Sequence, residues 1–199
     1  IAVVQPKIKD EKRPTHFEYA GAAGGFIDRY GFPYCRGRVF ETIEEDKGQY
    51  NESFPVPIFW ASGACFFIRA EVFNQLGGFD EDFFAHQEEI DLCWRVHHLG
   101  KQVVYCSEST VYHVGGATLT AANPKKTYLN FRNSLFMLLK NLPAKGLYTT
   151  IFLRMVLDGI AGVRFLLQGK PRFTWEVIRA HFHFYKRFFF FKKKRPSKL

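Results

Sequence analysis

Short apolar runs separated by polar turns dominate the first 127 residues of the chain. IAVVQPKI and IFWASGACFFIRA are rich in β-branched and aromatic residues, which is typical of buried strands. KQVVYC and STVYHV predict two further, shorter strands. Helical patterns lie between these runs, and the alternation predicts a mixed α/β sheet.

Two helices are predicted from the residues at their ends. AEVFNQLGG predicts a short helix from Ala70 to Leu76, because Gly77 stands where a left-handed residue ends a helix. HQEEIDLCWRVHHLG predicts the clearest helix of the chain. Its carboxylates Glu88, Glu89 and Asp91 crowd the first turns, where the helix dipole favours negative charge.

The segments before residue 58 are less regular. KDEKRPTHFE is charged and is expected to be a loop. YAGAAGGFIDRYGFPYCRGRVF combines glycines with aromatic residues, and we interpret it as a packed, functional loop.

A different pattern begins near Tyr128, where three long segments have helical character. The middle one, LYTTIFLRMVLDGIAGVRFLLQG, is mostly apolar but contains Arg154, Asp158 and Arg164. A bilayer-spanning helix needs roughly 20 apolar residues, and each central charge costs about 2.5–3.5 kcal/mol on insertion scales. We therefore expect helices that lie in the membrane interface with their apolar side down.

The net charge of +9 is distributed unevenly along the chain. Residues 1–120 contain 11 Lys/Arg and 17 Asp/Glu, whereas residues 121–199 contain 17 Lys/Arg and 2 Asp/Glu. A basic second part indicates an anionic membrane surface or another polyanion as its partner. FFFFKKKR joins aromatic to basic residues and favours a membrane anchor over nucleic-acid binding.

These patterns predict two regions, an α/β domain over residues 1–127 and a basic, aromatic helical region over residues 128–199 that associates with membranes. The chain begins at Ile1 within what reads as a strand, and we expect it to be part of a longer protein. Its four cysteines show no CxxC spacing and are expected to be free thiols.

The acidic helix has two possible uses. On a helix, Glu88, Asp91 and Arg95 share a face, whereas Glu89 points about 100° away from Glu88. Asp91 and Arg95 are four residues apart and are expected to form an ion pair. The other two carboxylates either cap a solvated helix start or act chemically, since burial would raise the pKa of a glutamate towards that of a useful base.

Three aromatic residues of GGFDEDFF, namely Phe79, Phe83 and Phe84, are expected to exclude water from these carboxylates. His86, His97 and His98 are expected to be surface or capping residues.

The run WASGACFFIRAEVFNQLGGFDEDFFAHQEEIDLCWRVHHLGKQVVYCSESTVYHVGG resembles the acceptor-side half of family 2 glycosyltransferases. The resemblance covers roughly residues 58–135 and depends on the order W-x-S-G-A, G-G-F-D-E-x-F-F, E-[DE]-x-D-L-C-x-R and a strand that ends in His. It implies a partial GT-A fold, a Rossmann-like mixed sheet, similar to bacterial rhamnosyltransferase-like enzymes. The implied reaction is inverting transfer of a sugar from a nucleotide-diphosphate donor.

The resemblance also implies roles for individual residues. Glu89 is the expected general base, with Glu88 as the alternative and Asp91 in the same motif. His113 is expected to bind a divalent metal, Mn or Mg, together with an Asp-x-Asp motif that no stretch before residue 58 contains. The residues expected to bind substrate are Trp60, Ser62, Gly63, Ala64, Asp80 and Arg132, the last of these at phosphate.

Several alternatives stay open. Trp60 stacks on a sugar or fills the core, and His113 binds metal or is satisfied by the backbone. The loop VGGATLTAANPKK has the glycines of a mobile lid. A paired-carboxylate glycosidase lacks a second, separately placed acid. The rival from another class is a noncatalytic membrane-anchoring or protein-binding module.

The combined expectation is a metal-dependent hexosyltransferase, peripheral on the cytoplasmic face of the inner membrane, that acts on a lipid-linked or cell-surface glycan. Its partners are a nucleotide-sugar donor, the glycan acceptor and an anionic membrane, without nucleic acid. Because the nucleotide-binding half is missing, the chain alone is expected to be inactive.

Overall fold

The computed structural model describes residues 1–114 and 123–196 and divides them into two compact units. Unit 2 takes residues 29–31, residues 82–87 and the described residues from 123 onwards, and unit 1 takes the others. The predicted boundary between residues 127 and 128 stays a prediction, because compactness in one structure does not establish independent folding.

Unit 1 is built on a mixed five-stranded sheet and two helices. The sheet has the order β2-β1-β9-β7, and β8 pairs with β1. Its strands are β1 (Val3–Asp10), β2 (Arg13–Phe17), β7 (Val56–Ile58), β8 (Phe67–Ile68) and β9 (Val103–His113). Two hairpins complete the strands, β3 (Gly25–Ile27) with β4 (Pro33–Cys35) and β5 (Arg38–Val39) with β6 (Thr42–Ile43).

The strand β1 occupies the centre of this sheet. It pairs in parallel with β9 and antiparallel with β2 and β8. Val3 and Ile8 are fully buried, as their β-branched side chains on a central strand predict. The opening strand of the sequence prediction is therefore confirmed.

Three predictions about the strands differ from the structure. KQVVYC and STVYHV form one strand, β9, although its pairing with β1 is irregular between Pro6 and Lys7, near the predicted break. KDEKRPTHFE contributes β2 to the sheet instead of a loop. In IFWASGACFFIRA the apolar run is divided by a turn in which the Cys65 amide donates to the Ser62 carbonyl oxygen (3.2 Å).

Both predicted helices of unit 1 are present. Helix α1 spans Ala70–Gln75, and Gly77 after it has φ +72°. Helix α2 spans Glu88–His98 and has the predicted acidic first turn. A short 3-10 turn, Glu81–Phe83, lies between them in sequence.

Unit 2 contains three long helices, α3 (Pro124–Asn141), α4 (Leu147–Leu167) and α5 (Pro171–Lys193). Asn123 caps α3, because its side-chain oxygen accepts from the Lys125 amide (2.9 Å), and proline follows at the first helical position. Both α4 and α5 pack on α3, and they also contact each other. The prediction of a mixed α/β fold followed by C-terminal helices is confirmed.

The aromatic and basic segment near residue 190 is part of the fold of unit 2. Phe191 is fully buried and stacks on Phe136 with ring centroids 3.7 Å apart. Arg187 and Lys194 bind the two oxygens of Asp82, at 2.8 and 2.6 Å. Phe191 and Lys194 of FFFFKKKR are therefore engaged within the protein, which the expectation of a terminal anchor did not anticipate.

Within the described residues, no helix combines the length and the apolar character that are needed to cross a membrane.

Phe191 and Phe189 form a matched pair for testing the packing of the end of α5. We expect Phe191→Ala to lower the free energy of unfolding by about 3–5 kcal/mol, because it leaves a cavity in the core. Phe189 is 75% exposed, and Phe189→Ala should change it by no more than about 0.5 kcal/mol. Chemical denaturation measures both, and equal effects would contradict the packing described.

Candidate active site

Helix α2 lies along the chain segment 59–63, and the two match in register. The His97 ring nitrogen Nε2 is 2.8 Å from the Phe59 carbonyl oxygen, and the Ala61 amide donates to the Cys93 sulfur at 3.4 Å. Four residues of helix rise about 6 Å, and two residues of extended chain advance about 6.6 Å. The step of four residues from His97 to Cys93 on α2 therefore matches the step of two from Phe59 to Ala61 on the segment.

The next step of this register brings Glu89 to Gly63. A Cβ atom at Gly63 would lie 3.9 Å from Cγ and Cδ of Glu89. Gly63 is exposed and Glu89 is only partly buried, so this end of the register is open to solvent. The structure thus brings together two of the residues that the sequence singled out, the candidate base and the glycine of W-x-S-G-A.

Gln5, a buried residue of the central strand β1, holds the turn at Gly63 in place. Gln5 is fully buried; its amide nitrogen donates to the Gly21 carbonyl oxygen (2.6 Å), and its amide oxygen accepts from the Ser62 amide (2.7 Å). The Ser62 hydroxyl accepts from the Ala64 amide at 3.2 Å. Ser62 is 2% exposed and shapes the turn, whereas Gly63 and Ala64 reach the surface.

Trp60 packs in the core of unit 1. It is 6% exposed, and its indole nitrogen donates to the Phe26 carbonyl oxygen at 2.8 Å. The indole lies so close to Gly25 that a Cβ there would be 2.0 Å from the ring. Of the two alternatives for Trp60, stacking on a sugar or filling the core, the structure shows the second.

Glu88 begins α2 in a more buried position than a solvated cap would have. Its Oε2 atom is buried and has no hydrogen-bond partner within the part of the chain that the structure describes. Burial raises the pKa of Glu88 above its usual value of 4.5. A glutamate in this state is a better proton acceptor near neutral pH than a solvated one.

Asp91 is fully buried and pairs with Arg95 at 2.8 Å, as the spacing predicted. The Arg95 guanidinium also donates to the carbonyl oxygens of Leu76 and Gly78 at the end of α1. The pair therefore joins α1 to α2. A catalytic role for Asp91 stays a prediction, and its observed contacts are structural.

His113 ends β9 beside a buried carboxylate that the sequence reading did not select. The His113 Nδ1 atom lies 3.6 Å from Glu18 Oε1, and it is buried without a hydrogen-bond partner among residues 1–114 and 123–196. Glu18 is 4% exposed, and its other oxygen accepts from the Ala20 amide at 2.6 Å. The backbone-satisfied alternative for the Nδ1 atom of His113 is therefore not observed.

An imidazole nitrogen next to a carboxylate oxygen fits a divalent transition ion in ligand type. It supplies two ligands, and no group of three or more potential ligands occurs among the described residues. His113 and Glu18 thus fit as part of a metal site. The predicted lid, VGGATLTAANPKK, lies largely outside the described residues.

In unit 2, two residues of α3 fix the loop 82–87, which precedes Glu88 in sequence. Arg132 donates to the Phe83 carbonyl oxygen (2.8 Å) and to that of Asp82 (3.2 Å). The Asn133 amide donates to the carbonyl oxygens of Phe83, Ala85 and His86 at 2.7–3.1 Å. The phosphate role of Arg132 stays a prediction, and its observed contacts are with the backbone of this loop.

This loop has an unusual backbone that needs such support. Phe84, His86 and Gln87 all have positive φ, between 66° and 70°. For residues with a Cβ atom this conformation costs of order 1 kcal/mol each and persists only where the surroundings impose it. The hydrogen bonds from Arg132 and Asn133 support this loop, together with those that the Gln87 side chain makes with Asn130 and Ser134.

The exclusion of water from the carboxylates by Phe79, Phe83 and Phe84 stays a prediction. Phe84 is 72% exposed and Phe79 is 40% exposed, whereas Phe83 is fully buried. His97 is partly buried and stacks on Phe59, so it is not simply a surface residue. Asp80, which was predicted to bind substrate, is partly buried, and that role stays a prediction.

A cavity of about 600 Å³ opens in the segment 19–41 of unit 1. Tyr19, Tyr34 and Phe40 contribute aromatic surface to it, and the Arg38 guanidinium lies 4.0 Å from the centre of the Tyr19 ring. None of the predicted site residues lines this cavity.

Comparison with known proteins places the chain near two kinds of sugar transferase. It is 36% identical over 80 residues to N-acetylglucosaminyl-diphospho-decaprenol L-rhamnosyltransferase of Mycobacterium tuberculosis, in strains CDC 1551 / Oshkosh and ATCC 25618 / H37Rv. That match covers 37% of this chain and 26% of the mycobacterial enzyme. No protein-family model matches the chain.

The second kind is the low-salt glycan biosynthesis hexosyltransferase Agl10 of Haloferax volcanii, which is 29% identical over 132 residues. This match covers 64% of the chain and 42% of the archaeal enzyme. The chain therefore spans less than half the length of these relatives. The resemblance to glycosyltransferases is confirmed, whereas family 2 and the GT-A fold stay predictions.

Glu88→Gln provides a test of the buried carboxylate. Because the pKa of Glu88 is raised in the folded protein, ionising it destabilises the fold at neutral pH. We expect Glu88→Gln to raise the melting temperature at pH 7–8, and the gain to vanish as the pH falls below about 4.5, where both states are protonated. Glu108→Gln, at an exposed site, is the control. A gain that grows on acidification would refute the burial.

Proposed function

We propose that the protein of which this chain is part is a glycosyltransferase that moves a sugar from a nucleotide-diphosphate donor to a glycan or lipid-linked acceptor with inversion. The observation that carries the proposal is the position of Glu89 beside the exposed Gly63, 3.9 Å from where a Cβ would stand. An acceptor hydroxyl can approach a carboxylate there without a side chain in the way.

In this proposal Glu89 is the general base. As the acceptor oxygen forms its bond to the anomeric carbon, its proton passes to the Glu89 carboxylate. The bond from that carbon to the donor's phosphate oxygen breaks on the opposite face, and the nucleoside diphosphate leaves with the electron pair. One displacement at one carbon inverts the configuration.

Glu88 is the alternative base. It precedes Glu89 at the start of α2, and burial raises its pKa, which suits proton transfer near neutral pH. Glu89 is preferred because the register of α2 brings it to the open glycine, whereas a carboxyl oxygen of Glu88 is buried.

We further propose that His113 helps to hold a divalent ion, Mn or Mg, with Glu18 as a second protein ligand. When bound, such an ion supplies positive charge that stabilises the departing diphosphate. The other ligands, including an Asp-x-Asp motif, belong to a nucleotide-binding half outside this chain. Without that half the chain is proposed to be inactive.

The proposed location is the cytoplasmic face of the inner membrane, with the protein bound peripherally. The name of the mycobacterial relative describes a sugar acceptor on a decaprenol diphosphate, which supports a lipid-linked acceptor for this protein too. The excess of Lys and Arg after residue 120 is consistent with an anionic membrane as partner. Cell-surface polysaccharide biosynthesis is the process that fits these partners.

Replacing Glu89 by Gln in the full-length protein tests the base. We expect transfer to fall by 10²–10⁴-fold in kcat, because general-base catalysis typically contributes that much, while donor binding is unchanged. Product formation from a mixture of nucleotide-sugar donors measures the rate.

Glu88→Gln is assayed in parallel, and the variant with the larger loss in kcat identifies the base. If both variants turn over at nearly the normal rate, the catalytic proposal fails, and a noncatalytic membrane-anchoring module becomes the better explanation of the chain.

The metal proposal predicts that His113→Ala and Glu18→Gln each weaken Mn²⁺ binding by at least tenfold, because ligands and the groups that orient them both affect metal affinity at this scale. Titration of Mn²⁺ into the full-length protein, followed by calorimetry, measures the affinity. His98→Ala is the control. Unchanged affinity in both variants would remove His113 and Glu18 from the metal site.

A further inference from the structure

Helix α4 is turned so that two of its three charged residues, Arg154 and Asp158, face inward. The residues that it buries are spaced by four and three along the helix: Leu147, Ile151, Arg154, Asp158 and Gly162. Arg154 is 4% exposed and Asp158 is 1% exposed. A surface helix in water normally buries its apolar stripe and exposes its charges, and α4 does the reverse in its central turns.

The inward charges are satisfied within unit 2. Arg154 binds Asp158 at 2.8 Å and also donates to the Gly31 carbonyl oxygen and the Ser134 hydroxyl, both at 3.1 Å. His181 of α5 lies 3.3 Å from the other Asp158 oxygen. Arg154 and Asp158, two of the three charges that interrupt the apolar sequence of α4, are therefore absent from its outer surface.

The outer surface of α4 is consequently apolar over most of its length. Several of its outward side chains are more than half exposed, from 55 to 83%: Phe152, Ile160, Val163, Leu166 and Leu167. Arg164 is the one exposed charged side chain between residues 147 and 167.

Helix α5 adds a second apolar stripe with regular spacing. Its members follow intervals of three and four residues and are 54–75% exposed: Trp175, Ile178, Phe182, Tyr185 and Phe189. The Tyr185 hydroxyl reaches the Met155 sulfur of α4 (3.5 Å), so this stripe adjoins α4. We call the two exposed apolar surfaces together the α4–α5 face.

A row of basic residues borders the stripe on α5. Arg172, Arg179, Lys186 and Lys193 are exposed and stand seven residues apart. At 100° per residue, each of the last three lies about 40° around the helix from an apolar residue four positions earlier. Long basic side chains in this position can reach past an inserted apolar stripe to phosphate groups.

Among the described residues of unit 2, an acid pairs with one member of this row, Arg179, and not with Arg172, Lys186 or Lys193. The described residues of this unit include three acids, and each is bound by a cation of the same unit. Asp82 binds Arg187 and Lys194, Asp158 binds Arg154, and Glu176 binds Arg179. A second copy of the same face would bring basic rows and apolar stripes, and its acids are already paired, so charge complementarity favours an external anionic surface.

We propose that the α4–α5 face is the surface by which the protein lies on an anionic lipid bilayer, with the apolar side chains among the acyl chains and the basic row at the headgroup phosphates. This inference depends on the peripheral membrane location given above and assigns it to specific residues. The segment FFFFKKKR contributes Phe189 and Lys193, whereas Phe191, Arg187 and Lys194 are engaged inside unit 2.

Vesicle sedimentation of the full-length protein tests the face. With vesicles of phosphatidylcholine and phosphatidylglycerol, we expect Ile160→Glu and Phe182→Glu each to lower the partition coefficient at least tenfold. Phe67→Glu is the matched control, because Phe67 is 68% exposed but belongs to unit 1, and it should bind normally. Melting temperatures of all three variants verify that they fold.

The basic row has its own readout. Lys186→Gln and Lys193→Gln should each weaken binding to the anionic vesicles by roughly fivefold, since a basic residue near such a surface contributes about that factor. Binding to pure phosphatidylcholine should not change. Equal losses on both kinds of vesicle would contradict a headgroup role for the row.

Two results would overturn the proposal. One is normal vesicle binding by both glutamate variants. The other is a dimer, seen by sedimentation velocity, that these variants dissociate while the parent protein does not bind vesicles, because the occupant would then be a second copy.

Sugar transfer to a soluble acceptor separates this inference from the proposed activity. Variants of the face should retain that transfer, and Glu89→Gln should lose it but still bind vesicles. If Glu89→Gln loses transfer but still binds vesicles, the proposed membrane surface still stands. If the face variants bind vesicles normally, the membrane inference fails, but the proposed transferase activity still stands.

Discussion

The register between α2 and the segment 59–63 is the constraint on which the candidate site depends. A helix advances by about the same length in four residues as an extended chain does in two, so the contacts at Phe59 and Ala61 coincide with His97 and Cys93. Beyond these two contacts, Glu89, one further step of four along α2, lies beside Gly63. Burial raises the pKa of the Cys93 thiol to about 12, so it stays a neutral packing group beneath the site.

In unit 1, the buried side chain of Gln5 stabilises the conformation of the exposed turn at Gly63. Gln5 lies in the central strand, and it has no contact with solvent. Its amide bridges two loops that are far apart in sequence, at Gly21 and Ser62. Because a buried amide without partners is costly, these two hydrogen bonds stabilise the observed conformation of the turn that carries Gly63. The open glycine is thus held in place by chemistry that the surface does not reveal.

Sequence reasoning was most successful where local periodicity decides the structure. The helices α1 and α2 follow from their end residues, and the three later helices follow from their apolar spacing. It failed where distant residues decide: the turn at Ser62 divides an apolar run, and Glu18 meets His113 only through the sheet. A polar residue inside the apolar run AVVQP was the one local signal that pointed to Gln5. The inward direction of Arg154 and Asp158 could have been suspected from their spacing with Ile151 and Gly162, but their partners could not.

The burial of Phe191 has a consequence for the order of events during synthesis. Its ring completes the packing against Phe136, yet it lies 24 residues after the end of α4 at Leu167. At translation rates of 5–20 residues per second, the ribosome adds that length in about 1–5 s. During this interval α4 has been synthesised, but two residues of α5 that complete the packing have not all followed. They are His181, which lies beside Asp158 of α4, and Phe191, which stacks on Phe136 of α3. The three-helix core therefore cannot close until α5 has been synthesised up to Phe191.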